Sequence, residues 1–153
     1  MNILVVYDSA YGNTESIAKA IGSSCKADVL RVGEVKAEQL RDLDVLIVGS
    51  PTQAFRSLPS VKSFLKNLPA GSLKNVKVAS FDTRVDVKQV GNRFLTFLVR
   101  LFGYAAQSIM STLVKKGGVR AVPPMGFIVN DKEGPLRDGE IERAIQWSKE
   151  ITV

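Results

Sequence analysis

The sequence contains no histidine and a single cysteine, Cys25. Without imidazole there is no histidine-based nucleophilic triad, no imidazole proton shuttle and little prospect of zinc or haem ligation, and one thiol cannot close an internal disulfide. No catalytic residue and no metal ligand is therefore assigned. An unbroken apolar run of membrane-spanning length is also missing. The most apolar stretch, Phe94 to Val114, is cut by Arg100, Gly103 and Gln107, and no basic leader precedes the first apolar run. The expectation is a cytoplasmic protein without a membrane span. A length of 153 residues leaves no room for two ordinary domains, and 45% hydrophobic with 24% charged residues is the balance of a chain that folds compactly.

Acidic residues are scarce in one region only. Residues 51–120 carry 12 basic side chains against Asp82 and Asp86, whereas each flanking segment has two more acids than bases. The net charge of +6 thus comes from the middle of the chain. A basic region of this kind can attract nucleic acid, anionic lipid or an acidic protein, or simply face water, and the sequence does not choose among them.

What is present is an alternation of two periodicities. Asn2 to Tyr7 and Asp44 to Val48 are continuous apolar runs, the pattern of strands covered on both faces. Asp28 to Val32, Val76 to Phe81 and a run within Val119 to Val129, interrupted or initiated by Pro123 and Pro124, read as further strands. Between them, Ile17, Ala18 and Ile21, then Val61, Phe64, Leu65 and Leu68, recur at helical spacing. A longer helical region carries two apolar faces separated by Gly103, and Ile141, Ala144, Ile145, Ser148 and Ile151 mark a last helix. Strands and helices alternating in this way give an α/β fold: a parallel, doubly wound sheet of five strands in three layers, because each crossover must return the chain to the same sheet.

In such a sheet, ligands bind beyond the carboxyl ends of the strands, which singles out the loops Asp8 to Thr14, Ser50 to Leu58 and Asp82 to Asp86. The first runs from a buried strand into a helix with hydroxyls at Ser9 and Thr14 and a glycine between them. That arrangement suits a phosphate, since amides at a helix start offer donors and a partial positive charge. Read alone, it is equally an ordinary turn with a threonine cap. No Gly-Lys-Ser/Thr sequence is present, the dinucleotide pattern of three glycines does not follow the first strand, and the third strand ends in Gly49-Ser50-Pro51-Thr52 where a phosphoacceptor receiver needs an aspartate.

The run Val5-Val-Tyr-Asp-Ser9-Ala-Tyr-Gly12-Asn-Thr14-Glu-Ser-Ile-Ala18-Lys-Ala-Ile21 resembles the flavodoxin signature over its full length. Gly49-Ser-Pro-Thr-Gln-Ala-Phe55 is similar to the flavodoxin loop after the third strand, Phe81-Asp-Thr-Arg84 to the third flavin loop, and the tail from Gly126 to Glu140 to flavodoxin-domain proteins of bacteria and archaea. The resemblance implies a single flavodoxin-like domain over residues 1–153, with strand order 2-1-3-4-5 and FMN as cofactor. It further implies that Ser9, Tyr11, Gly12, Asn13 and Thr14 cradle the FMN phosphate. Pro51, Thr52, Gln53, Ala54 and Phe55 would wrap the isoalloxazine, with Phe55 offering an apolar face or simply packing in the core. Asp82, Thr83 and Arg84 would line the other side of the ring, unless Asp82 and Arg84 form only a surface ion pair.

Because the fully reduced flavin is an anion near neutral pH, an isolated Arg84 about 8 Å away would favour it by roughly 2 kcal/mol at an effective dielectric of about 20. That corresponds to roughly 90 mV before screening. The chain departs from short flavodoxins by an extra helical segment at about 85–104, whose stripe Phe94, Phe97, Leu98, Leu101 and Phe102 suits packing on its own sheet, a homo-oligomer contact through 94–102, or a lid over a hydrophobic substrate. The function implied is electron transfer between a reductase and an acceptor, with redox partner proteins, acidic ones among them, and not nucleic acid. Two rival readings remain on the same fold: an FMN-dependent NAD(P)H:quinone or acceptor reductase, and an interaction module that has lost its cofactor. Cys25 reads as a small apolar group rather than a redox thiol.

Overall fold

A computed structural model of the chain describes residues 1–86 and 91–153. Strand β1 (Ile3–Tyr7) leads into helix α1 (Asn13–Cys25), then β2 (Asp28–Arg31), two short 3-10 turns, β3 (Val45–Pro51), α2 (Pro59–Asn67) and β4 (Lys77–Val85). Helices α3 (Arg93–Phe102) and α4 (Ala105–Lys115), strands β5 (Val119–Arg120) and β6 (Met125–Val129), and helix α5 (Glu140–Ile151) complete it. The sheet is parallel throughout, in the order β2-β1-β3-β4-β5, as the resemblance implies.

Alternate residues along the central strands feed two separate cores, which is what a pleated sheet covered on both faces requires. Ile3, Val5, Tyr7, Val45, Ile47 and Phe81 meet α1 and α5 through Ile17, Ile21, Ala144 and Trp147 on one side. Leu4, Val6, Leu46, Val48 and Val78 meet α2 and α4 through Val61, Leu65, Ile109 and Leu113 on the other. The continuous apolar runs seen in the sequence are thus strands with no solvent face.

Two expectations gain detail. The fifth strand is two strands: β5 pairs with Lys77 and Val78, β6 pairs with Phe81 to Val85, and the segment holding Pro123 and Pro124 separates them, giving six in all. Proline has no N–H to give a ladder, so the edge breaks there and resumes. The long helical region likewise divides at Gly103, whose φ of 73° ends α3. By length and composition Arg93–Lys115 is apolar enough to cross a membrane. The break leaves helices of 10 and 11 residues, each too short for a span, and α4 buries Ala105, Ala106, Ile109, Met110 and Leu113 in the core. Of the extra segment expected at about 85–104, residues 87–90 and the side chains of Leu101 and Phe102 lie outside the described residues.

Phe81, Phe127 and Trp147 pack edge to face, with centroids 6.0 to 6.2 Å apart. Phe81 lies opposite Gly49 in the register, and a Cβ on Gly49 would fall 2.1 Å from its ring. The aromatic trio occupies the volume that a side chain on β3 would need. Gly49→Ala is expected to lower stability by about 1–3 kcal/mol, read from urea unfolding, because the ring cannot retreat into a core already filled by Phe127 and Trp147. An unchanged unfolding midpoint would show that the trio is loosely packed.

Candidate cofactor site

A cleft of about 410 Å³ opens at the carboxyl edge of the sheet, where β1, β3, β4 and β6 end. Ser9, Tyr11, Asn13 and Thr14 form one wall, Pro51, Thr52, Gln53 and Ala54 a second, and Thr83 and Arg84 a third. Ten of the thirteen residues expected at a site therefore meet around one cavity. The cleft wall also holds Ala10 and Val85, which lie in the loops singled out but are not among the thirteen, and Val129 and Lys132, which lie outside those loops. Val85 reaches the wall because β4 runs four residues beyond the apolar stretch Val76 to Phe81, with Asp82 paired to Arg84 and Thr83 to Thr14.

The first loop turns into α1 at Gly12, whose φ of 92° is left-handed and suits a residue without Cβ. The Gly12 N–H donates to Ser9 Oγ at 3.0 Å, and the Ser9 N–H donates to Asp8 Oδ1 at 2.9 Å. Among the described residues, the backbone N–H groups of Asn13, Thr14 and Glu15 have no acceptor in the protein, and neither do those of Ala10 and Tyr11. The turn therefore presents a set of unpaired donors at the positive end of a 13-residue helix, the chemistry of an anion cradle. The threonine hydroxyl plays a different part. Thr14 Oγ1 is buried and lies 2.8 Å from Thr83 Oγ1, tying the first loop to β4.

Behind the loop, Arg31 spans two carboxylates, with Nη1 2.9 Å from Asp8 Oδ1 and Nη2 2.8 Å from Glu15 Oε2. Glu15 also accepts from the Tyr7 hydroxyl and from Lys19. These bonds, Tyr7 first, hold the Glu15 carboxyl below its ordinary value. The acid in the first turn is thus drawn away from the open amides and offset by cations. On the other flank, Asn13 Nδ2 donates to the Glu133 carbonyl at 3.1 Å and fixes the loop that bears Lys132.

The second loop carries backbone strain. Ala54 and Phe55 both have positive φ, 47° and 66°, inside a tight turn closed by reciprocal Gln53 and Arg56 backbone hydrogen bonds. This is a turn conformation that glycine and asparagine usually occupy. With Ala54, Arg56, Lys62 and Ser108, Phe55 lines a recess of about 280 Å³ that adjoins the cleft at Ala54.

The third loop departs furthest from expectation. Asp82 has no exposure and lies beneath the cleft rather than in its wall. Arg84 clamps it, with Nε 2.6 Å from Oδ1 and Nη2 2.8 Å from Oδ2, because residues two apart on a strand share a face. The Ala106 N–H donates to the same carboxylate at 2.9 Å, and Thr52 bonds to it while accepting the Ala105 N–H at 3.0 Å. The Arg84 guanidinium carbon sits 3.5 Å from the Tyr104 ring centroid, a stacked cation-π contact. Asp82 and Arg84 are an ion pair, but a buried one, and Arg84 is not an isolated cation facing the cleft. Burial nevertheless pushes the Asp82 carboxyl above its ordinary value, against the pull of Arg84, Ala106 and Thr52. Cys25 stands at the other end of α1, its thiol donating to the Ser148 carbonyl at 3.6 Å, and burial raises its pKa, as suits an inert thiol.

Removing Arg84 tests the pair. A carboxyl raised in the folded state favours folding below its unfolded pKa and opposes folding as pH rises, and losing the guanidinium raises it further. The destabilisation by Arg84→Gln should therefore grow from about pH 4 upward and reach about 3 kcal/mol near neutrality. Urea unfolding at a series of pH values measures this, and a penalty independent of pH would contradict a buried pair.

Residues 4–111 match the sequence profile of a family described as "Flavodoxin domain". Among solved structures, the chain is similar to a flavodoxin from the domain Archaea, at 20% identity and a TM-score of 0.78, covering 99% of this chain and 96% of the other. Flavodoxin 1 from Bacillus cereus, 17% identical with a TM-score of 0.77, covers 99% and 97%. The rubredoxin oxygen:oxidoreductase of Desulfovibrio gigas, 18% identical with a TM-score of 0.74, matches 98% of this chain with 35% of its own. No curated protein matches the sequence.

Proposed function

The chain belongs to the flavodoxin domain family, and from that premise we propose that FMN lies in the cleft at the carboxyl edge of the sheet and that the protein carries electrons between a reductase and an acceptor protein. The observation that carries the reading is the row of unpaired backbone donors at the start of α1. Their chemistry fits a phosphate monoester: donors fixed by the backbone, helix polarity of the right sign, and no side-chain carboxylate free to repel it. The apolar side chains of Pro51, Ala54, Val85 and Val129 suit a flat heteroaromatic ring, and Lys132 adds a cation to the same wall.

Bound FMN supplies the redox chemistry, and the protein's own residues bind, orient and tune. In this reading Ser9 to Thr14 hold the phosphate, Pro51 to Ala54 position one side of the ring, and Thr83 and Arg84 the other. Gly12 shapes the phosphate turn without a side chain, Phe55 contributes through the turn it strains, and Asp82 acts through Arg84. Because Asp82 neutralises Arg84, the cation that would have raised the flavin potential by roughly 90 mV acts instead as one end of a dipole.

Two measurements test this reading. Titrating the apoprotein with FMN should quench flavin fluorescence at a stoichiometric endpoint, and riboflavin, which lacks the phosphate, should bind at least about 100-fold more weakly, the loss of two or more charge-assisted hydrogen bonds. Equal binding of the two would remove the phosphate cradle from the proposal. The charge-compensated wall makes a second, asymmetric prediction. Asp82→Asn leaves Arg84 uncompensated and should shift binding toward reduced FMN by about tenfold, or about 59 mV for one electron. Arg84→Gln should shift it far less, since the buried Asp82 then takes up a proton. Redox titration of both variants decides, and equal shifts of opposite sign would mean that the two charges act independently.

A further inference from the structure

Among the described residues, helix α3 is the one long apolar element that the fold does not absorb. It is a complete helix in its own right: Asn92 Oδ1 accepts the N–H groups of Phe94 and Leu95 at 2.9 and 3.2 Å, and Gly103 closes the other end with its N–H on the Val99 carbonyl at 2.7 Å. None of its described residues is buried. Phe94 and Phe97 are 66% and 58% exposed, whereas Phe81 and Phe127 have no exposure at all. At 100° per residue, Arg100, Arg93, Phe97 and Phe94 occupy one continuous outward arc, and Leu95, Leu98 and Val99 lie half-buried on the rest of the surface. A shallow recess of about 450 Å³ runs along the outward arc, lined by Asn92, Arg93, Thr96, Phe97 and Arg100.

We infer that this face docks the protein on an anionic lipid bilayer, lying in the plane of the headgroups with Phe94 and Phe97 inserted and Arg93 and Arg100 on the lipid phosphates. Two features of the molecule favour that occupant over a second copy of the chain. The first is charge. No acidic residue occurs between Asp86 and Asp131, and the two acids of residues 51–120 are already paired, Asp82 with Arg84 and Asp86 with Arg137. A symmetric contact would press this cationic face against itself, while a bilayer rich in anionic lipid complements it. The second is area. A helix of 10 residues is about 15 Å long and roughly 10 Å wide, a footprint on the order of 150 Å², far below the ~800 Å² per partner of a stable protein interface. Interfacial binding needs no such area: aromatic side chains entering the acyl boundary and arginines reaching phosphate are enough for reversible attachment.

Composition agrees with geometry. The stretch Arg93–Lys115 has bilayer-like hydropathy, and its second half spends that hydropathy on the protein's own core while its first half remains outside. This inference does not depend on the cofactor.

Co-sedimentation of the full chain with vesicles tests it directly. Wild type should pellet with vesicles of phosphatidylcholine containing a quarter phosphatidylglycerol, and should be released by phosphatidylcholine alone or by raised salt. Phe94→Ser/Phe97→Ser should weaken binding by at least about tenfold. Arg93→Gln/Arg100→Gln should weaken it by about 25-fold, at roughly fivefold per arginine. All four positions are exposed or half-buried, so the thermal melts should match wild type. Failure to pellet with either vesicle, binding that ignores both substitution pairs, or a dimer in velocity sedimentation that the phenylalanine substitutions dissolve would each overturn the inference.

Discussion

Asp82 is a charge that the fold cannot leave alone. A carboxylate without any exposure is stable only when every lone pair is answered, and the answers come from three separate parts of the chain: Arg84 on its own strand, Ala106 at the start of α4 and Thr52 in the loop after β3. Each of these is thereby placed. The Ala106 contact sets the N-terminus of α4 against the end of β4, where helix polarity favours an anion, and Thr52 accepts the Ala105 N–H in turn. Arg84 is held flat enough for Tyr104 to stack on it, which fixes the point where α3 gives way to α4. The walls of the cleft are the outer surface of this buried network, so its shape is decided beneath its floor.

The same economy governs the turn into α1. Its amides can remain open because the polar groups around them are occupied with one another: Arg31 bridges Asp8 and Glu15, Tyr7 and Lys19 share Glu15, and Asn13 reaches the Glu133 carbonyl. A free carboxylate in that first turn would compete for the helix's positive end. Tying it sideways leaves the donors for a ligand. Thr14 and Thr83 complete the arrangement by joining the turn to the strand that carries Asp82, so two walls of the cleft belong to one bonded unit.

How much of this was legible in the residues follows from where their partners lie. β1, β3, α1 and α5 are readable because their partners are generic: an apolar run between two apolar layers looks the same in any sheet of this kind. The turn from Ser9 to Thr14 is readable because its chemistry is local, small polar residues and a glycine immediately after a strand. Asp82 and Arg84 fall between these cases. Their spacing of two on a strand implies a shared face, and hence a pair, but whether that face is wet or dry depends on α4, which packs over it from more than twenty residues further along the chain. The place of Phe55 is not legible in the residues for a similar reason. Its direction depends on the positive φ of Ala54 and Phe55, which no glycine or asparagine announces. Val85 reaches the cleft wall because the polar end of β4 is paired internally rather than solvated.

The halves of Arg93–Lys115 show where hydropathy stops being informative. Both are apolar at helical spacing, and a composition window treats them as a single object. Their fates differ because α4 has small residues, Ala105 and Ala106, that let its backbone approach the sheet and deliver N–H groups to Thr52 and Asp82, while α3 meets that region with arginines and phenylalanines too bulky to do so. Gly103 then permits the two axes to part. Once α4 has been drawn in by the buried carboxylate, α3 has no remaining sheet surface to cover, and its apolar residues must share the outer face with the cations of the basic segment. The exposed aromatic face thus begins where the contacts to Asp82 and Thr52 end, at Gly103.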